Sequence, residues 1–79
     1  MKVEIYGKPW CPYCDAAKSL AELNDCNYVY KSLDEDFSKE TFLDLFPGAL
    51  TFPQIIVDGA KIGGYTEFRA FIDSTKEEI

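Results

Sequence analysis

Cys11-Pro12-Tyr13-Cys14 sets two thiols three residues apart near the start of a chain of 79 residues. Residues three apart on a helix lie one above the other, with Cβ atoms about 5–6 Å apart. Disulfides typically span Cα separations of about 4.4–6.8 Å. The pair can therefore close and open with little backbone movement, which is what reversible thiol–disulfide exchange requires. The two sulfurs are not equivalent. Pro12 suits the first position of a helix, where its missing N–H costs nothing. Cys11 then stands at the helix N-terminus, where unpaired N–H groups and the helix dipole favour a thiolate. Lys8, three residues upstream, adds positive charge. Thiols in such settings ionise at roughly pH 3.5–7.5, against about 8.5 for a free thiol. Cys11 is expected to be the nucleophile and the better leaving group. Cys14, one turn in and on the apolar side, is expected to stay a thiol until it resolves a mixed disulfide.

Other uses of cysteine fit less well. The chain has three cysteines and no histidine. A secreted disulfide framework usually carries more, in even number. Structural zinc would need a carboxylate as fourth ligand, an uncommon choice. Two core cysteines on a helix would share the spacing, but a strand before and a helix after the pair favour redox chemistry. Cys26 lies twelve residues past Cys14. Along a continued helix that is about 18 Å, too far to join the pair, so it reads as a small apolar filler.

The elements that must position the pair follow from periodicity. Lys2–Tyr6 alternates, with Val3 and Ile5 on one face, and reads as a strand. Gly7-Lys8-Pro9-Trp10 reads as a loop. A helix from Pro12 repeats Cys14, Ala17, Leu20 and Ala21 and ends at Asn24-Asp25. Tyr28–Leu33 is a second strand, followed by an acidic loop at Asp34-Glu35-Asp36. Ser38 caps a short helix with Phe42, Leu45 and Phe46 inward, stopped by Pro47-Gly48. Gln54–Val57 and Ala60–Ile62 form a hairpin across Asp58-Gly59. Gly63-Gly64 breaks the pattern, and Thr66 caps a last helix with Phe68, Phe71 and Ile72 inward. The order is β-α-β-α-β-β-α in one α/β domain, residues 1–79. The first β-α-β must be parallel and right-handed, and the last two strands antiparallel, giving a mixed four-stranded sheet flanked by three helices.

Three segments together resemble the dithiol glutaredoxins. Cys11-Pro12-Tyr13-Cys14 after a strand and a Gly-Lys loop is the first. Thr51-Phe52-Pro53-Gln54 is similar to the family's Thr-Val-Pro-Gln, whose proline is cis. Gly63-Gly64-Tyr65-Thr66-Glu67 is similar to its Gly-Gly-Tyr-Thr-Asp. The resemblance spans nearly the whole chain, with the motifs in the family's order and spacing. It implies a thioredoxin fold, no tightly bound cofactor, and glutathione as co-substrate. The implied activity is reduction of protein disulfides and glutathione mixed disulfides. Cys11 would attack and Cys14 resolve. Tyr13 would pack on glutathione, the Phe52 backbone in the Thr51–Pro53 stretch would pair with its cysteinyl part, and Lys8 would meet its glycyl carboxylate or the thiolate. Gly64, Tyr65, Thr66 and Glu67 would surround the γ-glutamyl end. Phe52 is bulkier than the family's usual residue, Glu67 replaces a shorter Asp, and Trp10 before Cys11 resembles the Trp-Cys of thioredoxin.

Two related readings weigh less. A relative recharged by a thioredoxin reductase would carry a Trp-Ser-Gly-Phe-Arg-like segment in place of Gly63-Gly64-Tyr65-Thr66. A glutathione-ligated [2Fe–2S] carrier usually has Ser or Gly where Pro12 stands. Composition limits the partners further. At 47% hydrophobic, 15% aromatic and net charge −6, the chain is a globular acidic domain with no electrostatic footprint for nucleic acid or anionic membrane. It has no apolar run near the ~20 residues of a membrane span and no signal-like N-terminus. A cytoplasmic monomer is expected, serving disulfide-containing client proteins; the family commonly serves ribonucleotide reductase.

Overall fold

The structure is a computed structural model that describes residues 1–76. Its elements are β1 (Lys2–Gly7), α1 (Pro12–Leu23), β2 (Asn27–Ser32), α2 (Lys39–Leu45), β3 (Gln54–Val57), β4 (Ala60–Gly63) and α3 (Tyr65–Lys76). The sheet order is β2-β1-β3-β4. β1 runs parallel to β2 and antiparallel to β3, and β3 and β4 are antiparallel. The element order and the strand directions are those expected from the sequence.

The pleat of the central strands divides the core into two layers. Val3 and Ile5 of β1 and Ile55 and Val57 of β3 face α1 and α3, where Ala17, Ala21, Phe68 and Ile72 complete one buried cluster. The alternate residues Tyr6 and Ile56 face α2 and cluster with Phe37, Phe42 and Phe46. Successive strand side chains point to opposite faces, so β1 and β3 each feed both layers. The small Ala17 and Ala21 are the fully buried contacts of α1 in this cluster.

Local chemistry sets the boundaries. Ser38 caps α2, with the Thr41 N–H donating to its Oγ at 3.2 Å. The helix ends at Phe46, the residue before Pro47, where helical backbone is disfavoured. Asp58 and Gly59 have φ of +49° and +87°, both left-handed, as a tight two-residue hairpin turn demands.

Some expectations are corrected. Thr66 does not cap α3. The helix begins at Tyr65, the Gly64 carbonyl accepts its first i+4 bond from the Phe68 N–H at 3.0 Å, and Thr66 is an exposed residue of the first turn. Phe71 does not face inward and is 37% exposed. The inward stripe of α3 is Tyr65, Phe68 and Ile72, spaced i, i+3, i+7, and Phe71 falls beside it. Leu45 is half-buried rather than a full core residue. Gly7 belongs to β1 and pairs with Ser32; Leu33 lies past the end of β2, in an isolated bridge to Phe37.

Gly7 has a steric reason to be glycine. A Cβ there would overlap the Tyr30 hydroxyl and stand 2.8 Å from the ring carbon that bears it. Tyr30 thereby packs over the backbone just before the Cys11 loop. Gly7→Ala should destabilise the protein by about 1–3 kcal/mol, the usual cost of overpacking. Denaturant midpoints measure this, and combining it with Tyr30→Ala should give less than the sum of the two losses.

Candidate active site

β1 delivers the chain to the site at Gly7, and α1 begins five residues later at Pro12. Cys11 is the N-cap of α1, with extended backbone at φ −122°, ψ 101°. Its sulfur occupies the place of a capping oxygen: the Cys14 N–H donates to Cys11 Sγ at 3.2 Å. The sulfur thus satisfies one of the orphan donors of the first turn. The two cysteines are joined as a disulfide with a Cα–Cα separation of 5.2 Å, inside the general range for such bonds. Cys14 is fully buried, whereas Cys11 keeps 7% of its surface in water. The two sulfurs thus differ in hydrogen bonding and slightly in exposure.

The other segments converge on Cys11. The Phe52–Pro53 peptide is cis, and Pro53 is fully buried. The Phe52 carbonyl oxygen stands 3.9 Å from Cys11 Sγ. The Phe52 ring stacks on Phe42 of α2 with centroids 4.4 Å apart and planes at 20°, and Lys8 Nζ lies over the Phe52 ring, 5.4 Å from its centroid. The extra bulk at this position is absorbed into the α2 layer and becomes one wall of a half-open groove.

That groove has a volume of about 530 Å³ and is lined by Lys8, Lys39, Phe42, Leu50, Thr51 and Phe52, among others. Lys39 and Leu50 were not singled out from the sequence. Lys39 reads locally as the first residue of a short helix, and only the return of α2 toward Phe52 brings its ammonium to the groove that Lys8 lines. Phe42, read as core alone, serves as both core and groove lining.

On the other side, Gly64 sits against the cis-proline loop. A Cβ on Gly64 would stand 3.3 Å from the Pro53 carbonyl oxygen, so the glycine allows the start of α3 to approach that backbone closely. Glu67 turns back within its own helix, and the Gly64 N–H donates to its Oε1 at 2.7 Å. This is the carboxylate half of a capping box. Tyr65 is half-buried against the α1–α3 core and also faces the exposed Tyr13, with ring centroids 5.9 Å apart. The aromatic pair ties the cysteine turn to the head of α3. Cys26 stands apart from the site, half-buried with its sulfur 3.8 Å from Met1 Sδ, and burial pushes its thiol pKa up.

Comparisons with known proteins agree with this geometry. The glutaredoxin family model matches residues 3–62. Glutaredoxin 1 of Escherichia coli (strain K12) is 39% identical, over 91% of this chain and 93% of that protein. The structure of reduced E. coli glutaredoxin superposes with a TM-score of 0.81 at 37% identity, covering 98% of this chain and 99% of that one. Glutaredoxin 1 from Francisella tularensis gives a TM-score of 0.80 at 32% identity, covering 96% of both chains. The chain belongs to the glutaredoxin family, the glutathione-dependent thiol–disulfide oxidoreductases.

Proposed function

We propose that Cys11 is the attacking sulfur and Cys14 the resolving one. The observation that carries this is the Cys14 N–H held on Cys11 Sγ, together with the complete burial of Cys14. In the reduced protein that N–H and the α1 dipole stabilise negative charge on Cys11, while burial disfavours it on Cys14. The Cys11 thiolate attacks one sulfur of a client disulfide, forming a mixed disulfide and releasing the other client sulfur as a thiolate that takes a proton from water. Cys14 then gives up its proton and attacks Cys11 Sγ. The Cys11–Cys14 disulfide forms and the second client thiol leaves. Two glutathiones reverse this: the first opens the disulfide to a mixed disulfide on Cys11, and the second attacks its glutathione sulfur, leaving oxidised glutathione and the Cys11 thiolate.

The same reading assigns the surrounding residues. The Phe52 backbone, between Thr51 and Pro53, pairs with the cysteinyl part of a glutathione attached to Cys11; its carbonyl is already 3.9 Å from that sulfur. Lys8 meets the glycyl carboxylate, with Lys39 lining the same groove. Tyr13 and Tyr65 flank the peptide. Gly64, Thr66 and Glu67 form the γ-glutamyl end, where the first turn of α3 offers backbone N–H groups to a carboxylate. A protein of net charge −6 does not attract anionic glutathione at long range, so these local groups must supply the binding. The proposed setting is a monomer of one domain in the cytoplasm, reducing client proteins such as ribonucleotide reductase.

Cys11→Ser should abolish all thiol exchange, whereas Cys14→Ser should keep turnover of glutathione mixed disulfides and lose turnover of protein disulfides. Equal losses in the two variants, measured with glutathione reductase coupling, would refute the assigned roles. Lys8→Glu should raise the Cys11 pKa in reduced protein, because a cation near the thiolate is replaced by an anion. Thiolate absorbance followed against pH checks this, and an unchanged curve removes Lys8 from the stabilisation of Cys11.

A further inference from the structure

Trp10 is the residue immediately before Cys11, and it is 98% exposed. It is also left-handed, at φ +59°, a conformation that bulky residues rarely adopt. Among the described residues the indole enters no aromatic pair, cation–π contact or side-chain hydrogen bond that would offset these two costs. A glycine would hold the same backbone without strain. A large apolar surface is therefore maintained in water beside the reacting sulfur at some expense to the fold, the pattern expected of a residue kept for contact with another molecule.

The position of the indole selects the partner. Trp10 is not among the residues lining the groove of Lys8, Lys39 and Phe52, so a small peptide lying there leaves the indole uncovered. A polypeptide disulfide-bonded to Cys11 is different. Adjacent Cα atoms are about 3.8 Å apart, so a client chain that continues on both sides of its cysteine has to pass over the neighbours of Cys11. Cys11 itself keeps only 7% of its surface exposed, which forces the client chain down against that rim.

We propose that Trp10 selects protein clients, docking against aliphatic or aromatic side chains next to the client's redox cysteine, and contributes nothing to small glutathione mixed disulfides. This rests on the reading of Cys11 as the attacking sulfur. Tryptophan is the residue type most often found to dominate such contacts when it is covered by a partner.

The test uses three substrates: two synthetic peptides closed by the same disulfide ring, one with leucines and one with serines beside the cysteines, and the mixed disulfide of glutathione with mercaptoethanol. The unaltered protein should reduce the leucine peptide with a kcat/KM about tenfold above the serine peptide, which corresponds to about 1.4 kcal/mol. Trp10→Asn, which tolerates the left-handed backbone, should erase that preference mainly through KM while leaving the mixed disulfide within about twofold. Trp10→Phe should retain most of it. No preference in the unaltered protein, or an equal fall on all three substrates in Trp10→Asn, would overturn the proposal. Failure of the unaltered protein to turn over the mixed disulfide would overturn the glutathione-dependent reading, and this one with it.

Discussion

A sulfur in the place of a helix-capping oxygen is the constraint on which the site depends. The N-cap must accept a hydrogen bond from the first turn, and here Cys11 Sγ does so. The bond that starts the helix is the same bond that would steady a thiolate. Helix capping and the environment of that sulfur are thereby coupled at one atom: whatever holds α1 against the sheet also holds the N–H that donates to Cys11 Sγ. Ala17 and Ala21, on the buried face of α1, belong to that arrangement as much as the cysteines do.

The second half of the site is built by contact between distant backbones. Residues 52–53 and 64 meet where Gly64 leaves room for the Pro53 carbonyl, and the Phe52 carbonyl in turn reaches Cys11 Sγ. The β3–β4 hairpin makes this possible. Its two-residue turn at Asp58-Gly59 returns the chain at once, so the segment before β3 and the segment after β4 arrive at the same end of the sheet. Parallel β1 and antiparallel β3 then bring that end to the tip of β1, where α1 begins. The Glu67 carboxylate secures the junction by taking the Gly64 N–H.

Electrostatics works locally against an unfavourable background. With 14 acidic and 8 basic residues the whole chain repels anions. Lys8 and Lys39 gather at the groove, and the N-terminus of α1 directs the Cys14 N–H at Cys11 Sγ. Fixed dipoles and two ammonium groups act over a few ångströms, where the screened net charge of the rest of the surface counts for little.

Short-range chemistry was legible in the residues themselves. The cysteine spacing, Pro12 at the helix start, Ser38 as a cap, Asp58-Gly59 as a hairpin and the period-two pattern of Val3 and Ile5 each follow from interactions within a few residues. They determined the element order and which sulfur stands at the start of α1. At the start of α3 glycine competes with threonine for the cap, and the Glu67 carboxylate three residues on decides for Gly64 by taking its N–H. Lys39, Leu50 and the dual use of Phe42 were beyond reach for a different reason. Their roles exist only because α2 folds back toward Phe52, and no local periodicity encodes which distant side chain will lie across a groove. Sequence alone decided which sulfur caps α1, since capping acts within one helical turn; tertiary structure decided what surrounds the pair, since those contacts join residues that only the sheet brings together.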